Sequence, residues 1–233
     1  MELVFDGVRG VLYPPMYLGI KWDIEGLEHI PTDGPVILAS SHSSYLDPLA
    51  LGYFATKRGR RTRFLTKDGL FEKPVLGGIL RRCGMISVSR GTSAAAGSLV
   101  EAEQSLHAGR CVAVFPEGTI SLDLDPMVGK TGTARLAAAT GVPVVPIGLW
   151  GLHRILFKGR KPRWRSGIAE VVRIGEPLSI AATDDVLDAT DRIMTAICTQ
   201  VGAARAAYPQ VPKPEEGDWW VRGPETAVLR SCR

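Results

Sequence analysis

The chain has 233 residues, 45% of them apolar and 22% charged, which makes one α/β domain around a single large core the default expectation. A net charge of +4 and a pI near 9.0 draw it toward anionic surfaces, phospholipid or nucleic acid, without choosing between them. Cys83, Cys111, Cys198 and Cys232 show no C-x-x-C spacing, which argues against structural zinc and for a reducing compartment.

Residues 1–10 lack a basic start followed by an apolar run and a small-residue cleavage site, so no secretory signal is expected. Val11 to Ile20 is the most apolar early stretch, yet it is about half the length of a spanning helix and contains Pro14 and Pro15. It is expected to lie on a bilayer rather than cross one, and residues 1–30 are read as a membrane-associating segment.

Residues 31–208 are read as the domain proper. Pro35 to Ala39 predicts a strand that breaks into the polar cluster Ser40, Ser41, His42, Ser43 and Ser44. Leu46 to Ala55 predicts a helix with Pro48 early in it, and Arg63 to Thr66 a brief strand. Pro74 opens a helix over Val75 to Leu80 that ends on Arg81 and Arg82, and Met85 to Val88 predicts a strand. Ser93 to His107 predicts a helix stopped by Gly109, Cys111 to Phe115 a strand, and Thr133 to Thr140 a helix stopped by Gly141. Val142 to Leu149 and Ile168 to Ile174 add β-branched strands, and Asp184 to Ala206 a last helix. This alternation predicts a mixed, mainly parallel sheet flanked by helices. Residues 209–233, with Pro209, Pro212, Pro214 and Pro224, predict an irregular tail that Trp219 and Trp220 dock.

Three segments carry chemistry. His42 and Asp47 stand five apart across a strand-to-helix junction, where a turn brings the carboxylate onto the imidazole. A His with a pKa of about 6.5 takes a proton near neutral pH, and the carboxylate fixes its tautomer and stabilises the imidazolium. Phe115-Pro116-Glu117-Gly118-Thr119 ends an apolar strand in a carboxylate, a glycine and a hydroxyl, at the sheet end where open α/β folds place ligands. Gly84 to Gly91 ends a strand in Arg90, a side chain whose forked guanidinium suits phosphate. Gly129-Lys130-Thr131 imitates the end of a P-loop, but Leu124 occupies the place of its first glycine. No G-x-S-x-G elbow is present, so direct transfer without an acyl-enzyme is expected. Lys158, Arg160, Lys161, Arg163, Trp164 and Arg165 form a basic run suited to lipid headgroups or to nucleic acid phosphates.

Together these segments resemble the glycerolipid acyltransferases that include the 1-acylglycerol-3-phosphate acyltransferases. The His-x4-Asp block, a G-x-I-x-V-x-R block, the F-P-E-G-T block and Val142-Pro143-Val144-Val145-Pro146 occur in that family's order, from Pro35 to about Ile174. The resemblance implies His42 as general base, Asp47 as its orienter, and Glu117, Gly118 and Thr119 as acceptor-binding residues. It implies Arg90 at the acceptor's phosphate and Lys67 facing the same pocket. The family's third block usually continues with an arginine where this chain has Ile120. Loss of that charge costs about 1.5–3 kcal/mol of phosphate binding unless Arg90, Lys67 or Lys130 substitutes, and Ile120→Arg is expected to restore it.

The expected reaction moves a fatty acyl group from acyl-CoA or acyl carrier protein to the hydroxyl of 1-acylglycerol-3-phosphate, with no metal and no cofactor. Glycerol-3-phosphate or another lysophospholipid is the alternative acceptor. A non-catalytic lipid- or nucleic-acid-binding module is the alternative class, and the intact His-Asp pair argues against it. The expected partners are a phospholipid surface and these substrates, with no nucleic acid, and the expected location is peripheral on the cytoplasmic face of the membrane.

Overall fold

The computed structural model describes residues 2–88, 94–164, 166–214 and 217–221. The elements run α1 (Glu2–Gly19), β1 (Ile20–Glu25), β2 (Val36–Ser40), α2 (Asp47–Lys57), β3 (Thr62–Lys67), α3 (Pro74–Arg82) and β4 (Ile86–Val88). They continue with α4 (Ala94–His107), β5 (Cys111–Val114), α5 (Gly132–Thr140), β6 (Val144–Trp150), β7 (Ile168–Ile174) and α6 (Val186–Ala206). Among the described residues, seven strands form one sheet in the order β1-β7-β6-β2-β5-β3-β4. Strands β6, β2, β5, β3 and β4 run in one direction. Strand β7 is antiparallel to β6 and parallel to β1. The expected mixed, mainly parallel sheet is therefore present.

Period-two alternation divides the core between the two faces of this sheet. Ile37, Ala39, Val112, Val114 and Val144 pack with α5 and α6 through Leu136, Ile193 and Ile197. Val36, Leu38, Ala113, Val145 and Ile147 pack with α2 through Leu51 and Phe54. Strand β2 is buried over its whole length, as a central parallel strand covered on both faces must be. Helix α6 starts where the side chain of Asp185 accepts from the N–H groups of Leu187 (2.8 Å) and Asp188 (3.1 Å), a cap that satisfies two otherwise orphaned donors.

The N-terminal region differs from the sequence reading. Helix α1 continues through Pro14 and Pro15. Residues 20–25, assigned in the sequence to a separate segment, form the edge strand β1, paired in register with β7. Trp22 of β1 stacks on Tyr53 of α2 at 4.6 Å, and Arg173 of β7 pairs with Asp23 (3.0 Å) and Glu25 (3.2 Å). Met16 and Ile20 pack against Leu46 and Ala50 at the start of α2. The opposite side of α1 bears Val11, Pro14, Pro15 and Leu18, all exposed, and Leu18 is 80% exposed. Helix α3, packed beside α1, adds the exposed Val75 and Leu76. Among the described residues, no helix is long and apolar enough to cross a membrane.

Candidate active site

The five strands that run together end at one edge, and the loops leaving that edge carry the predicted residues. After β2 the chain remains on the sheet through Ser41 N–H donating to Ile147 O (3.2 Å). It then turns, held by Ser44 Oγ donating to Leu156 O (2.8 Å) and by Leu46 N–H donating to Ser44 Oγ (3.1 Å). Asp47 opens α2, and its Oδ2 accepts from Ser43 N–H (2.7 Å) and Ser44 N–H (2.8 Å). The same oxygen lies 3.0 Å from His42 Nδ1. A carboxylate only accepts, so Nδ1 carries the proton and Nε2 presents a lone pair. The His42 side chain is 15% exposed, enough for a hydroxyl to reach it while most of the ring is dry.

The second predicted segment wraps this histidine. The Phe115 ring stacks on the His42 ring at 4.1 Å with 20° between planes. Glu117 Oε1 accepts from His42 N–H (2.9 Å), its Oε2 accepts from Met127 N–H (2.8 Å), and Ser121 N–H donates to His42 O (3.0 Å). Both main-chain groups of His42 are thus bonded to residues 117–121. Glu117 is only 3% exposed, and burial pushes its carboxyl up to about 8. The N–H bonds from Met127 and His42 oppose that rise, while the charges of Asp47 and Asp123 add to it. Glu117, expected to touch the acceptor, is turned onto the His42 loop.

Gly118 has φ of +73°, and a Cβ there would lie 2.9 Å from Lys130 Nζ. Glycine is needed twice, for the backbone angle and for the lysine that crosses it. Lys130 is placed by its own N–H donating to Pro116 O (2.9 Å), so the predicted Lys130 and the 115–119 turn meet. Lys67 is exposed at the end of β3, which pairs with β5, and so sits on the same sheet edge. Arg90 lies outside the described residues.

Ile120 is buried against Leu124, Trp150, Phe157 and Val171. The side chain points away from the open side of the turn, so an arginine at 120 would enter an apolar cluster. The expectation that Ile120→Arg restores a phosphate ligand fails for that reason.

Two residues have contacts here that the sequence reading did not foresee, although it named Lys158 within the basic run. Lys158 Nζ donates to Thr119 Oγ1 at 3.4 Å, a contact between residues 39 apart that no local spacing signals. It separates the basic run into distinct roles, since Arg160 instead lies over Trp219 at 3.9 Å. Glu170, in the middle of β7, is fully buried, and its Oε2 accepts from Leu152 N–H (2.7 Å). Burial and the nearby charge of Asp47 hold its carboxyl well above the usual range, against the Leu152 bond. A lone carboxylate within the β-branched run Ile168 to Ile174 was the available signal. Among the described residues, no group of three or more His, Cys, Asp or Glu side chains is placed to hold a metal ion.

The family model described as Acyltransferase matches residues 21–150, from β1 through β6, and encloses His42, Asp47 and the 115–119 turn. The chain belongs to the acyltransferase family. Among relatives of this acyltransferase, the chloroplastic 1-acyl-sn-glycerol-3-phosphate acyltransferase BAT2 of Brassica napus is 34% identical over 177 residues, covering 74% of this chain and 49% of its own length. The 1-acyl-sn-glycerol-3-phosphate acyltransferase of Borreliella burgdorferi is 32% identical over 160 residues, covering 67% of this chain and 62% of its own. The chain thus spans about half the length of the plant relative it matches. The crystal structure of the 1-acyl-sn-glycerophosphate acyltransferase PlsC from Thermotoga maritima superposes with a TM-score of 0.68 at 25% identity, covering 91% of this chain and 81% of that one.

Proposed function

We propose that this acyltransferase moves a fatty acyl group from acyl-CoA or acyl carrier protein to the free hydroxyl of 1-acylglycerol-3-phosphate, giving phosphatidate. The observation that carries the reading is the His42 imidazole, bonded through Nδ1 to Asp47 and presenting Nε2 at the sheet edge. The names of the relatives support the choice of acceptor.

In this mechanism His42 Nε2 takes the acceptor's hydroxyl proton as the oxygen attacks the thioester carbonyl. The tetrahedral adduct then collapses, the carbon–sulfur bond breaks, and the departing sulfur takes the proton from the imidazolium. Asp47 stabilises that imidazolium while it lasts. Glu117 and Ser121 keep the His42 main chain still, which limits the motion that would misalign Nε2. No metal or cofactor enters any of these steps.

The acyl groups are membrane-bound at one end of the reaction, and the exposed apolar stripe of α1 beside α3 supports docking on a phospholipid surface. Because Met16 and Ile20 of α1 pack on the start of α2, the docking helix stands next to the His42 loop.

The test is His42→Ala. Transfer from a thioester to lysophosphatidate should fall by at least roughly a hundredfold, the usual worth of a general base, with an unchanged far-UV spectrum. Transfer at a near-normal rate would remove His42 from the mechanism.

A further inference from the structure

Strand β7 is buried at every residue from Ile168 to Ile174, and its third residue is a carboxylic acid. Such a side chain costs free energy in an apolar strand unless it makes a bond that an apolar residue cannot. Glu170 makes one, accepting at Oε2 from the N–H of Leu152 at 2.7 Å. The chain lies directly on the carboxyl at that point. Gly151 has φ of +144°, and a Cβ there would overlap Ala169 O and lie 2.7 Å from Glu170 Oε2. Only glycine gives the backbone both the angle and the close approach.

The turn that starts on Glu170 ends on the loop of the base. Gly151 O accepts from Arg154 N–H (3.0 Å), and Leu152 O accepts from Ile155 N–H (2.9 Å) and Leu156 N–H (3.1 Å). Leu156 O then accepts from Ser44 Oγ (2.8 Å) and Tyr45 N–H (3.3 Å). Ser44 N–H in turn donates to Asp47 Oδ2, the oxygen that faces His42 Nδ1. Leu152 and Ile155 also share one apolar cluster with Leu46 and Ala50 at the start of α2. Residues 117–121 hold the main chain of His42, whereas residues 151–156 hold the same loop at Ser44 and Tyr45. Burial and the charge of Asp47 keep the Glu170 carboxyl well above the usual range, which favours the neutral acid and leaves Asp47 as the anion that the imidazolium meets.

We propose that Glu170 is a positioning residue for the base: by accepting from Leu152 N–H it fixes the 151–156 turn, whose Leu156 carbonyl holds the His42–Asp47 loop in register. This rests on the reading of His42 as general base and adds a support that reaches it from the far strand of the sheet. Its role is to limit drift of Nε2, and a small misplacement of a reacting group is costly in rate while substrate binding is left intact.

The experiment measures kcat and KM for lysophosphatidate, together with the thermal unfolding midpoint, in wild type, Glu170→Met, Glu170→Gln, Glu170→Asp, Ser44→Ala and the double variant of Glu170→Met with Ser44→Ala. Methionine fills the same space in an apolar surrounding without accepting from Leu152, so Glu170→Met should stay folded while kcat falls roughly 10- to 100-fold and KM changes little. Glutamine resembles the neutral acid and keeps the acceptor, so Glu170→Gln should restore most of kcat. Because Ser44 and Glu170 act along one chain of bonds, the double variant should be little slower than the slower single one. Wild-type kcat in a folded Glu170→Met, loss in Glu170→Gln equal to that in Glu170→Met, or fully multiplicative losses in the double variant would each overturn the inference. Should Glu170→Met not fold, Glu170→Asp decides in its place: its shorter side chain should lower kcat below that of Glu170→Gln, and equal kcat would overturn the inference. Inactivity of His42→Ala alongside any of these overturning results would leave the acyltransferase reading standing, whereas near-normal transfer by His42→Ala would remove that reading and the inference with it.

Discussion

Glu117 accepts a main-chain N–H at each carboxylate oxygen, and one of those donors belongs to the putting in place of the base itself. Glu117→Gln keeps one acceptor and turns an amide NH2 toward the other N–H, so one bond is lost and two donors face each other. This should cost about 1–3 kcal/mol of stability, read as a lower urea midpoint, and should lower kcat. The pH dependence has a defined sign. A carboxyl raised from 4.5 to about 8 in the folded protein contributes stability that is fully present below about 4.5 and is lost as pH rises toward about 8. The margin of wild type over Glu117→Gln should therefore narrow across that window, and a constant margin would show that Glu117 does not titrate there. The sequence made Glu117 visible as a candidate, because it follows a buried strand. Its direction was not visible, since that depends on bonds to His42 and Met127, 75 and 10 residues away.

At the scale of elements, the apolar runs that end in a breaker were legible. Cys111 to Phe115 before Pro116, and Ile168 to Ile174, correspond to β5 and β7 within a residue. The start of the chain was not. Pro14 and Pro15 are breakers by local rule, yet α1 runs through them, packed on α2 and β1. Strand β1 did carry a signal, with Ile20, Trp22 and Ile24 alternating with Lys21, Asp23 and Glu25, but its charge disguised an edge strand that has one solvent side. The stripe on α1 leads to a prediction at this scale. Replacing Val11 and Leu18 by Asp together should strongly reduce sedimentation with phospholipid vesicles while the thermal unfolding midpoint changes little, because both side chains already face solvent. Undiminished vesicle binding would assign the docking to another surface.

For the molecule as a whole, the described residues around Trp219 and Trp220 are part of the fold, as those two side chains suggested. Trp220 is buried against Arg154 at 3.8 Å and Tyr208 at 5.6 Å, and Trp219 lies against Phe157 and His153. His153 is 1% exposed, and its Nε2 lies 3.4 Å from Trp220 O. Burial holds its pKa down to about 3, the Trp220 bond opposing, with Arg205 and Arg154 lowering it further. The sign follows from a depressed folded pKa: stability from a neutral His153 is complete above about 6.5 and is lost as pH falls toward about 3. Unfolding midpoints should decline over that range in wild type and decline less in His153→Gln. Equal slopes would exclude His153 as the acid-sensitive group. The docking was legible from the two tryptophans but their partners were not, because the contacts join residues 152–158 to 208–220.

The pairing of β1 with β7 also sets an order of events during synthesis. Residues 20–25 must wait for residues 168–174 before their edge position exists, a delay on the order of 10 s at about 5–20 residues per second. Throughout that interval α1 has left the ribosome without the strand that later fixes its C-terminal end. On the docking proposed above, that interval leaves the exposed stripe of α1 open to a phospholipid surface before β7 completes the sheet.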